Sequence, residues 1–348
     1  MRIEKPTLEE QVIKDQKEKP LPQPMVKIAL LACLTVLSMG LFWYTVSGVF
    51  NSQLDLSFQL GTIIAIVFSA LAFSLMFAII GISEVLVERQ LLFLAVLIIA
   101  AMTHFIFFPF AWANIIAALS MTFAFTVWKQ NIRADLKSRI TFIVGRVMMV
   151  GMGTAVSIVF VAVSFTYYGY LTADTGSDRF VEGFVDTMVD SANKALPNYV
   201  SYYDPEMTLD EFILESTTSS EEVPVIPTDS IVGDALRQGI ENAQGAILAE
   251  ARSEFLATFG IEASGDEKMA VIVEKIVHSR VDSIISPYKT FLPAILALSL
   301  FFVLKIFGFI LKPLIQTFSY FLYKLLLLVG FVKVEKVITE KERVTLAE

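Results

Sequence analysis

Long uncharged apolar segments alternate with short polar ones over the first half of the chain. Residues 28–50 and 60–82 contain no charged side chain. Each is long enough for one helix across the hydrocarbon layer of a bilayer, which is roughly 30 Å thick and takes about 20 helical residues. Residues 91–128 are also uncharged, with a Phe-Pro-Phe sequence centred on Pro109. We predict two crossing helices joined at this proline; the alternative is a re-entrant hairpin, and both ends emerge on the same side in either case.

Two further apolar segments flank a long polar interruption. Residues 140–170 are predicted to form a fifth span and residues 291–311 a sixth. Pro313 comes next, and residues 314–331 are apolar again. If this last segment crossed, the four cations that follow it would lie outside the cell, against the rule that cytoplasmic segments carry the excess of Lys and Arg. An interfacial or re-entrant helix is therefore predicted there.

The polar interruption, residues 171–289, is patterned as a set of helices. Apolar residues recur at helical spacing over 178–196 and 231–259. Gly260 stands where a helix-ending glycine is expected. This pattern predicts a folded helical domain rather than an extended loop.

Two short motifs in the same interruption predict helix starts. Thr208-Leu-Asp-Glu211 and Ser264-Gly-Asp-Glu267 match the capping box, in which a hydroxyl and a carboxylate three residues apart satisfy each other's backbone N–H groups. The second motif is predicted to open a helix that runs to Ile285 and points into the sixth span.

These elements predict an all-α fold, a polytopic membrane helix bundle of about six spans. A helical extracytoplasmic domain is inserted between spans 5 and 6, and an interfacial helix follows span 6. The predicted domains are a cytosolic tail (1–24), a membrane domain with spans 1–5 (25–170), the acidic helical domain (171–289), span 6 (290–312), the interfacial or re-entrant helix (313–331) and a charged cytosolic tail (332–348).

Composition agrees with a membrane protein and separates two kinds of segment by charge. Of the 348 residues, 55% are hydrophobic, which is too many for a soluble globule. Residues 171–289 contain 22 Asp and Glu against 8 Lys and Arg, whereas the rest of the chain contains 13 against 19. Because an acidic surface repels the phosphate backbone, we predict no nucleic-acid partner.

The positive charges also predict how the chain is oriented. The densest cationic cluster beside any span consists of Lys129, Arg133, Lys137 and Arg139, so this loop is predicted to be cytosolic. Counting spans backward places the N-terminal tail in the cytosol, and counting forward places residues 171–289 outside. The predicted localisation is the cell membrane, multi-pass, with both termini cytosolic.

Sequence motifs of metal or cofactor chemistry do not occur in the chain. Cys33 is the lone cysteine, which excludes an intrachain disulfide and a multi-cysteine metal site. His104 and His278 lie far apart in the predicted topology and have no clustered carboxylates. The sequence lacks a Walker loop, G-x-S-x-G and H-E-x-x-H. We predict no cofactor and no enzymatic activity.

The sharpest local motif is Leu171-Thr-Ala-Asp-Thr-Gly-Ser177, which Ser230-Ile-Val-Gly-Asp234 follows later. The pair resembles the D-[ST]-G turn of aspartic peptidases and the later apolar-apolar-Gly segment of their single-domain retroviral type. The resemblance implies a catalytic carboxylate at Asp174, completed by its twin from a dimer partner. That fold is all-β with a glycine-rich flap, whereas here no glycine occurs between Gly183 and Gly233 and the flanking periodicity is helical. A membrane-anchored peptidase is thus the third functional alternative.

An acidic cluster offers hard oxygen ligands of the kind that divalent cations prefer. Its members are Asp204, Glu206, Asp210 and Glu211. They lack the EF-hand register, and a solvated acidic loop is the alternative reading.

The fifth and sixth predicted spans contain small residues and isolated charges. Small residues at four-residue spacing allow two membrane helices to approach closely, and here they are Gly151, Gly153, Ala155 and Ser157. Arg146 and Lys305 are charges inside the spans, and snorkelling toward the interface is predicted for both.

We expect a non-enzymatic integral membrane protein of the cell envelope. Its acidic helical domain would serve as a scaffold or receptor through protein–protein interaction or self-assembly, because its long amphipathic helices suit pairing with a partner. The expected partners are the lipid bilayer and either another protein or a second copy of the chain. A channel or transporter subunit is the alternative.

Overall fold

The computed structural model describes residues 25–51, 60–87, 89–138, 143–173, 176–218 and 231–333. Helices account for most of this part of the chain. In chain order they are α1 Met25–Asn51, α2 Leu60–Leu86, α3 Gln90–Met102, α4 His104–Phe107, α5 Trp112–Ser138, α6 Val144–Met149, α7 Met152–Thr172, α8 Gly176–Tyr199, α9 Leu209–Thr218, α10 Ile231–Phe259, α11 Met269–Ile285 and α12 Leu292–Leu328. Over these ranges no strand forms, so the all-α prediction is confirmed for them.

Five helical segments are long and apolar enough to cross a membrane: α1, α2, α3 continued by α4, α7 and α12. This agrees with the prediction of a multi-pass membrane protein. The fourth predicted span corresponds to the first half of α5, which is not one of the five. Helix α5 is more polar than these five segments, because its first half contains Asn114 and charged residues follow from Lys129 onward.

The chain divides into two compact units. The first comprises Met1–Ser47, Ile66–Thr166 and Leu300–Glu348, and the second comprises Gly48–Ala65 and Tyr167–Ser299. In the first unit, the rings of Phe77, Phe125 and Trp128 form a fully buried aromatic cluster, with ring centroids of Phe77 lying 5.1 Å from Phe125 and 5.4 Å from Trp128. Helix α3 packs against α5. They are the two helices that the sequence predicts to be joined at Pro109.

The fifth predicted span is interrupted, whereas the apolar pattern predicted one continuous helix. Helix α6 ends at Met149 and α7 begins at Met152, with Gly151 between them at φ +73°. This left-handed conformation suits glycine because it lacks a Cβ. A Cβ on Gly151 would also lie 2.5 Å from Nδ2 of Asn131, so the α5 side chain occupies the space that any other residue would need.

Gly151→Ala is expected to lower the stability of the first unit. The left-handed backbone alone costs about 2 kcal/mol for a residue with a Cβ, and the contact with Asn131 adds to it. Thermal unfolding of the purified protein in detergent measures the loss as a lower midpoint. Gly40→Ala is the control within the first unit, because a Cβ there would meet only Thr103, at the ordinary contact distance of 3.9 Å. Equal midpoints for the two variants would contradict the assignment.

Pro313 does not end a helix, and the predicted break at this residue is wrong. Helix α12 runs from Leu292 to Leu328, 37 residues with Pro313 inside. A proline removes one backbone hydrogen bond, but membrane helices tolerate this loss. At 1.5 Å per residue α12 is about 55 Å long, more than the hydrocarbon layer requires.

The second unit contains two helix–loop–helix segments, α8–α9 and α10–α11. Its core is formed by the buried residues Tyr203, Leu209, Ile213, Met269, Ile272 and Val273. Helix α8 packs against α11, and α10 against α9. The prediction of helices over 178–196 and 231–259 is confirmed, and Gly260 ends α10 at φ +66° as expected.

Candidate functional site

Two loops of equal length meet in the second unit, and we call them the paired loops. Loop 1 is residues 200–208, between α8 and α9; loop 2 is residues 260–268, between α10 and α11. Thr208 and Lys268 form an antiparallel β-bridge at their ends. The N–H of Leu209 donates to Glu267 O at 2.9 Å, and the N–H of Met269 donates to Met207 O at 2.8 Å. The bonds are related by a local pseudo-twofold axis.

A second pair of hydrogen bonds extends the same symmetry. The N–H of Asp210 donates to Gly265 O at 3.0 Å, and the N–H of Ala270 donates to Pro205 O at 3.0 Å. Each loop therefore satisfies the backbone of the other loop and of the helix start beyond it. The hydrogen bonds between the paired loops fix where α9 and α11 begin.

One capping box is confirmed and the other is displaced. The N–H of Thr208 donates to the Glu211 carboxylate at 2.7 Å, and the N–H of Glu211 donates to Thr208 Oγ1 at 3.3 Å, at the start of α9. Glu267 accepts from the N–H of Ser264 at 3.0 Å, but α11 begins only at Met269. The second motif closes a turn within loop 2 because the β-bridge holds the following residues extended.

Two of the four predicted cation ligands, Asp210 and Glu206, form ion pairs with cationic side chains. Asp210 accepts from Arg252 twice, from Nε at 2.8 Å and from Nη2 at 2.5 Å, and Glu206 pairs with Lys268 at 2.5 Å. Asp204 accepts from the N–H of Glu206 at 2.9 Å. With Glu211 in the capping box, each of the four carboxylates has a bond within the second unit. Among the described residues, no group of three or more His, Cys, Asp or Glu side chains is arranged to hold a metal ion.

The register of loop 1 explains why these carboxylates do not converge. An EF-hand loop places ligands at positions 1, 3, 5, 7, 9 and 12, with glycine at position 6. With Glu211 as position 12, Val200 stands at position 1, Tyr202 at position 3 and Pro205 at position 6. Instead of a shared cation, Arg252 of α10 pairs with Asp210 of α9, and Lys268 of loop 2 pairs with Glu206 of loop 1.

Hydrogen bonds shift the pKa of several ionisable groups around the paired loops. The backbone N–H and then the hydroxyl of Thr208 hold the pKa of Glu211 below its usual value. Lys275, followed by the backbone of Ser264, does the same to the pKa of Glu267. The carboxylate of Glu206 raises the pKa of Lys268. These bonds favour the charged form in every case.

Acid is expected to destabilise the second unit. A carboxyl group whose pKa is lowered by folding stabilises the fold above its unfolded pKa, near 4.3 for Glu, and this contribution is lost as the pH falls through the lower folded pKa. The protection of the α9 and α11 amides, which is their exchange rate relative to that of an unfolded peptide at the same pH, should therefore fall below about pH 4.5. Glu211→Gln should flatten this profile, whereas Glu254→Gln, an exposed carboxylate on α10, should leave it unchanged. An unchanged profile in Glu211→Gln would contradict the role of the capping box.

A groove with a volume of about 690 Å³ lies beside loop 1, and we call it the loop-1 groove. It is lined by Ser201, Tyr202, Tyr203, Asp204, Met207, Glu211, Leu214 and Glu215. Tyr203 is buried, which raises the pKa of its hydroxyl, and its Oη donates to Asn193 Oδ1 at 2.5 Å. The ring of Tyr202 lies 5.5 Å from that of Phe212. The groove thus combines an aromatic floor with three carboxylates.

Asp174, the residue of the peptidase-like motif, lies outside the described residues. Helix α7 ends at Thr172 and α8 begins at Gly176. Helices therefore flank the motif closely on both sides, where an aspartic peptidase would have strands.

The small residues of the fifth span meet two lysines of α12 within the first unit. Ser157 Oγ accepts from Lys305 Nζ at 2.5 Å. A Cβ on Gly153 would lie 3.4 Å from Lys312 Nζ. Ala155 is fully buried, and Gly151 faces Asn131 of α5 as described above. Arg146 is exposed on α6.

Over its described residues, the first unit buries three ionisable side chains, those of Glu84, His104 and Lys129. The charges that follow the second and fourth apolar segments predict loops at Glu84 and Lys129, but both residues lie in helices and are 1% and 3% exposed. Among the residues that the structure describes, neither carboxylate oxygen of Glu84 has a hydrogen-bond partner. His104 is buried against Trp43, with ring centroids 4.3 Å apart. The four-residue spacing of Lys129 and Arg133 was the available signal, since it places both on one helix face.

No known protein family, curated protein or solved structure matches this chain.

Proposed function

We propose that this chain is a non-enzymatic scaffold or receptor of the cell envelope whose acidic helical domain (171–289) binds another protein on the extracytoplasmic side. Six spans and two cytosolic termini are part of the proposal. Its support is the set of five helices that suit a bilayer, the packing of α5 against α3 as a further arm, and the cationic cluster from Lys129 to Arg139.

The loop-1 groove is the observation that carries the binding proposal. Tyr and Met are enriched in protein interfaces, and here Tyr202 and Met207 line a concavity beside the hydrogen-bonded paired loops. The carboxylates of Asp204, Glu211 and Glu215 give it negative charge. Such a surface suits a partner segment with Lys or Arg beside an apolar residue, because a cation can contact both a carboxylate and a Tyr ring.

Site-specific photo-crosslinking in native membranes tests this proposal. A photoreactive phenylalanine analogue in place of Tyr202 should yield one dominant cross-linked species, whereas the same residue in place of Ile247, which is exposed on α10, should not. The mass of the product distinguishes a second copy of the chain from a different protein. Equal products from both positions would contradict a specific groove.

A charge variant tests which chemistry holds the partner. Glu215→Gln should weaken the cross-link from Tyr202, and added salt should weaken it further, because exposed charge pairs are screened. Glu250→Gln removes an exposed carboxylate of α10 away from the groove and is the matched control. If both variants cross-link as the wild type does, the groove does not recognise a cation.

Cysteine accessibility tests the proposed topology separately. In a Cys33→Ser background, Glu250→Cys should react with a membrane-impermeant thiol reagent added to intact cells. Lys333→Cys should react only after permeabilisation. The reverse pattern would overturn the orientation without bearing on the groove.

A channel or transporter subunit is the second candidate function, and buried Glu84 favours it. Ionisable side chains inside a membrane bundle mark ion or proton pathways more often than they serve packing. Selective flux through liposomes that contain the purified protein, lost in Glu84→Gln, would support this function over the scaffold.

A further inference from the structure

Helix α12 carries two exposed lysines beside a row of exposed apolar residues. Lys305 and Lys312 are seven positions apart, which is close to two helical turns, so both lie on one face of the helix. On the neighbouring face, Phe302, Ile306 and Phe309 are 58%, 75% and 83% exposed. A cationic row and an apolar row therefore run side by side along the outer surface of the first unit.

Both lysine ammonium groups lie against the same turn of α7. Lys305 Nζ donates to Ser157 Oγ at 2.5 Å, and Ser157 Oγ in turn donates to Gly153 O at 2.7 Å. Lys312 Nζ would lie 3.4 Å from a Cβ on Gly153. Over the described ranges of the chain neither lysine forms an ion pair, and Lys312 forms no hydrogen bond. The two positive charges therefore have no counter-charge from the described residues.

This turn of α7 lies near the level at which charged residues begin on α5. Asn131 belongs to the stretch of α5 that carries the cationic cluster from Lys129 to Arg139, and its side chain fills the space beside Gly151. Gly153 and Ser157 follow Gly151 by about 3 Å and about 9 Å along a helix. The headgroup layer is roughly 5–8 Å thick on each side of the hydrocarbon layer. Because a cationic cluster marks the end of a span, the two lysines lie within reach of the headgroups on that side.

We propose that Lys305 and Lys312 bind the phosphate of an anionic phospholipid whose acyl chains lie along Phe302, Ile306 and Phe309. Lysine side chains near a membrane face extend toward the headgroups, and cations beside membrane helices attract anionic lipids. Lys305 meets α7 further from the cationic cluster than Lys312 does, so the part of α12 that precedes Lys312 leads into the hydrocarbon layer. The apolar row lies on that part of α12, where acyl chains continue from the bound headgroup.

Native mass spectrometry of the full-length protein in detergent tests the lipid directly. The delipidated protein is incubated with phosphatidylglycerol or with phosphatidylcholine, whose headgroup carries no net charge. Phosphatidylglycerol adducts should survive collisional activation at higher energy than phosphatidylcholine adducts, and equal survival overturns the proposal. A protein subunit that stays bound through delipidation and is released in Lys312→Gln would assign the lysines to a partner helix, which also overturns it. In detergent, neither the orientation of the chain nor the loop-1 groove affects these outcomes.

Variants of α12 link the lipid to the two lysines. Lys312→Gln should weaken phosphatidylglycerol binding about tenfold, the effect of losing one charge-assisted hydrogen bond, and Lys312→Arg should keep most of it. Lys324→Gln is the matched control and should bind as the wild type does, because it removes an exposed cation of the same helix that lies about a third of a turn away around the axis. A thermal midpoint shows whether each variant is folded. Unchanged binding by folded Lys312→Gln overturns the proposal, and Lys305→Gln provides the same test if Lys312→Gln does not fold.

Discussion

Leu209→Ala is expected to destabilise the second unit by about 3 kcal/mol, the typical cost of truncating a fully buried leucine. Leu209 is 0% exposed, begins α9 and packs in the core with Ile213 and Ile272. Its N–H bond to Glu267 survives the substitution, so the loss comes from packing. In the full-length protein, hydrogen exchange of α9 and α11 amides should accelerate by about 100-fold.

Leu214→Ala is the matched control for this prediction. It makes the same change on the same helix, but Leu214 is 49% exposed. We expect less than about 1 kcal/mol, the usual range for a surface substitution. An equal acceleration of exchange in the two variants would show that Leu209 does not belong to the core of this unit.

Gly265→Ala is expected to destabilise the paired loops by about 2 kcal/mol, within the range for forcing an extra methyl group into a packed site. A Cβ on Gly265 would overlap the carboxylate of Asp210. That carboxylate cannot move away freely, because Arg252 holds both of its oxygens. The clash also opposes the bond from the Asp210 N–H to Gly265 O.

Gly183→Ala is the control for Gly265→Ala, since a Cβ on Gly183 would meet nothing within 4 Å. Gly183 lies inside α8, where alanine is the better helix former by about 1 kcal/mol. We therefore expect Gly265→Ala to lower the free energy of unfolding of the second unit and Gly183→Ala to raise it. Urea unfolding, followed through the hydrogen exchange of second-unit amides, measures both changes. Destabilisation by both variants would point to a general effect of the methyl group and against the Asp210 contact.

The second unit was largely predictable because its signals are local. Helix α10 was predicted at its observed bounds, since periodic apolar residues and the glycine at 260 mark its body and its end. The capping box at Thr208 was predictable for the same reason. The contact between loops 60 residues apart was not, because no local pattern encodes which loop pairs with which.

The candidate sites were predicted less well than the helices. The acidic residues of loop 1 were recognised from the sequence, but their partners Arg252 and Lys268 come from distant positions. The sequence predicts a loop at Glu84 and another at Lys129, because hydropathy declines where the charges begin. A helix can continue past that point and bury the charge against a neighbour, and only packing decides whether it does.

The sequence by itself determined the helical class, the apolar segments that suit a bilayer, and the acidic character of residues 171–289, because each depends on composition and short-range periodicity. The tertiary structure decided the break at Gly151, the continuity of α12 through Pro313, and the meeting of the two loops. Only glycine fits at position 151, because the Asn131 side chain of another helix occupies the space of a Cβ. The β-bridge joins Thr208 to Lys268. Such features depend on which segments meet in space, and residues distant in the chain supply the energy that selects them.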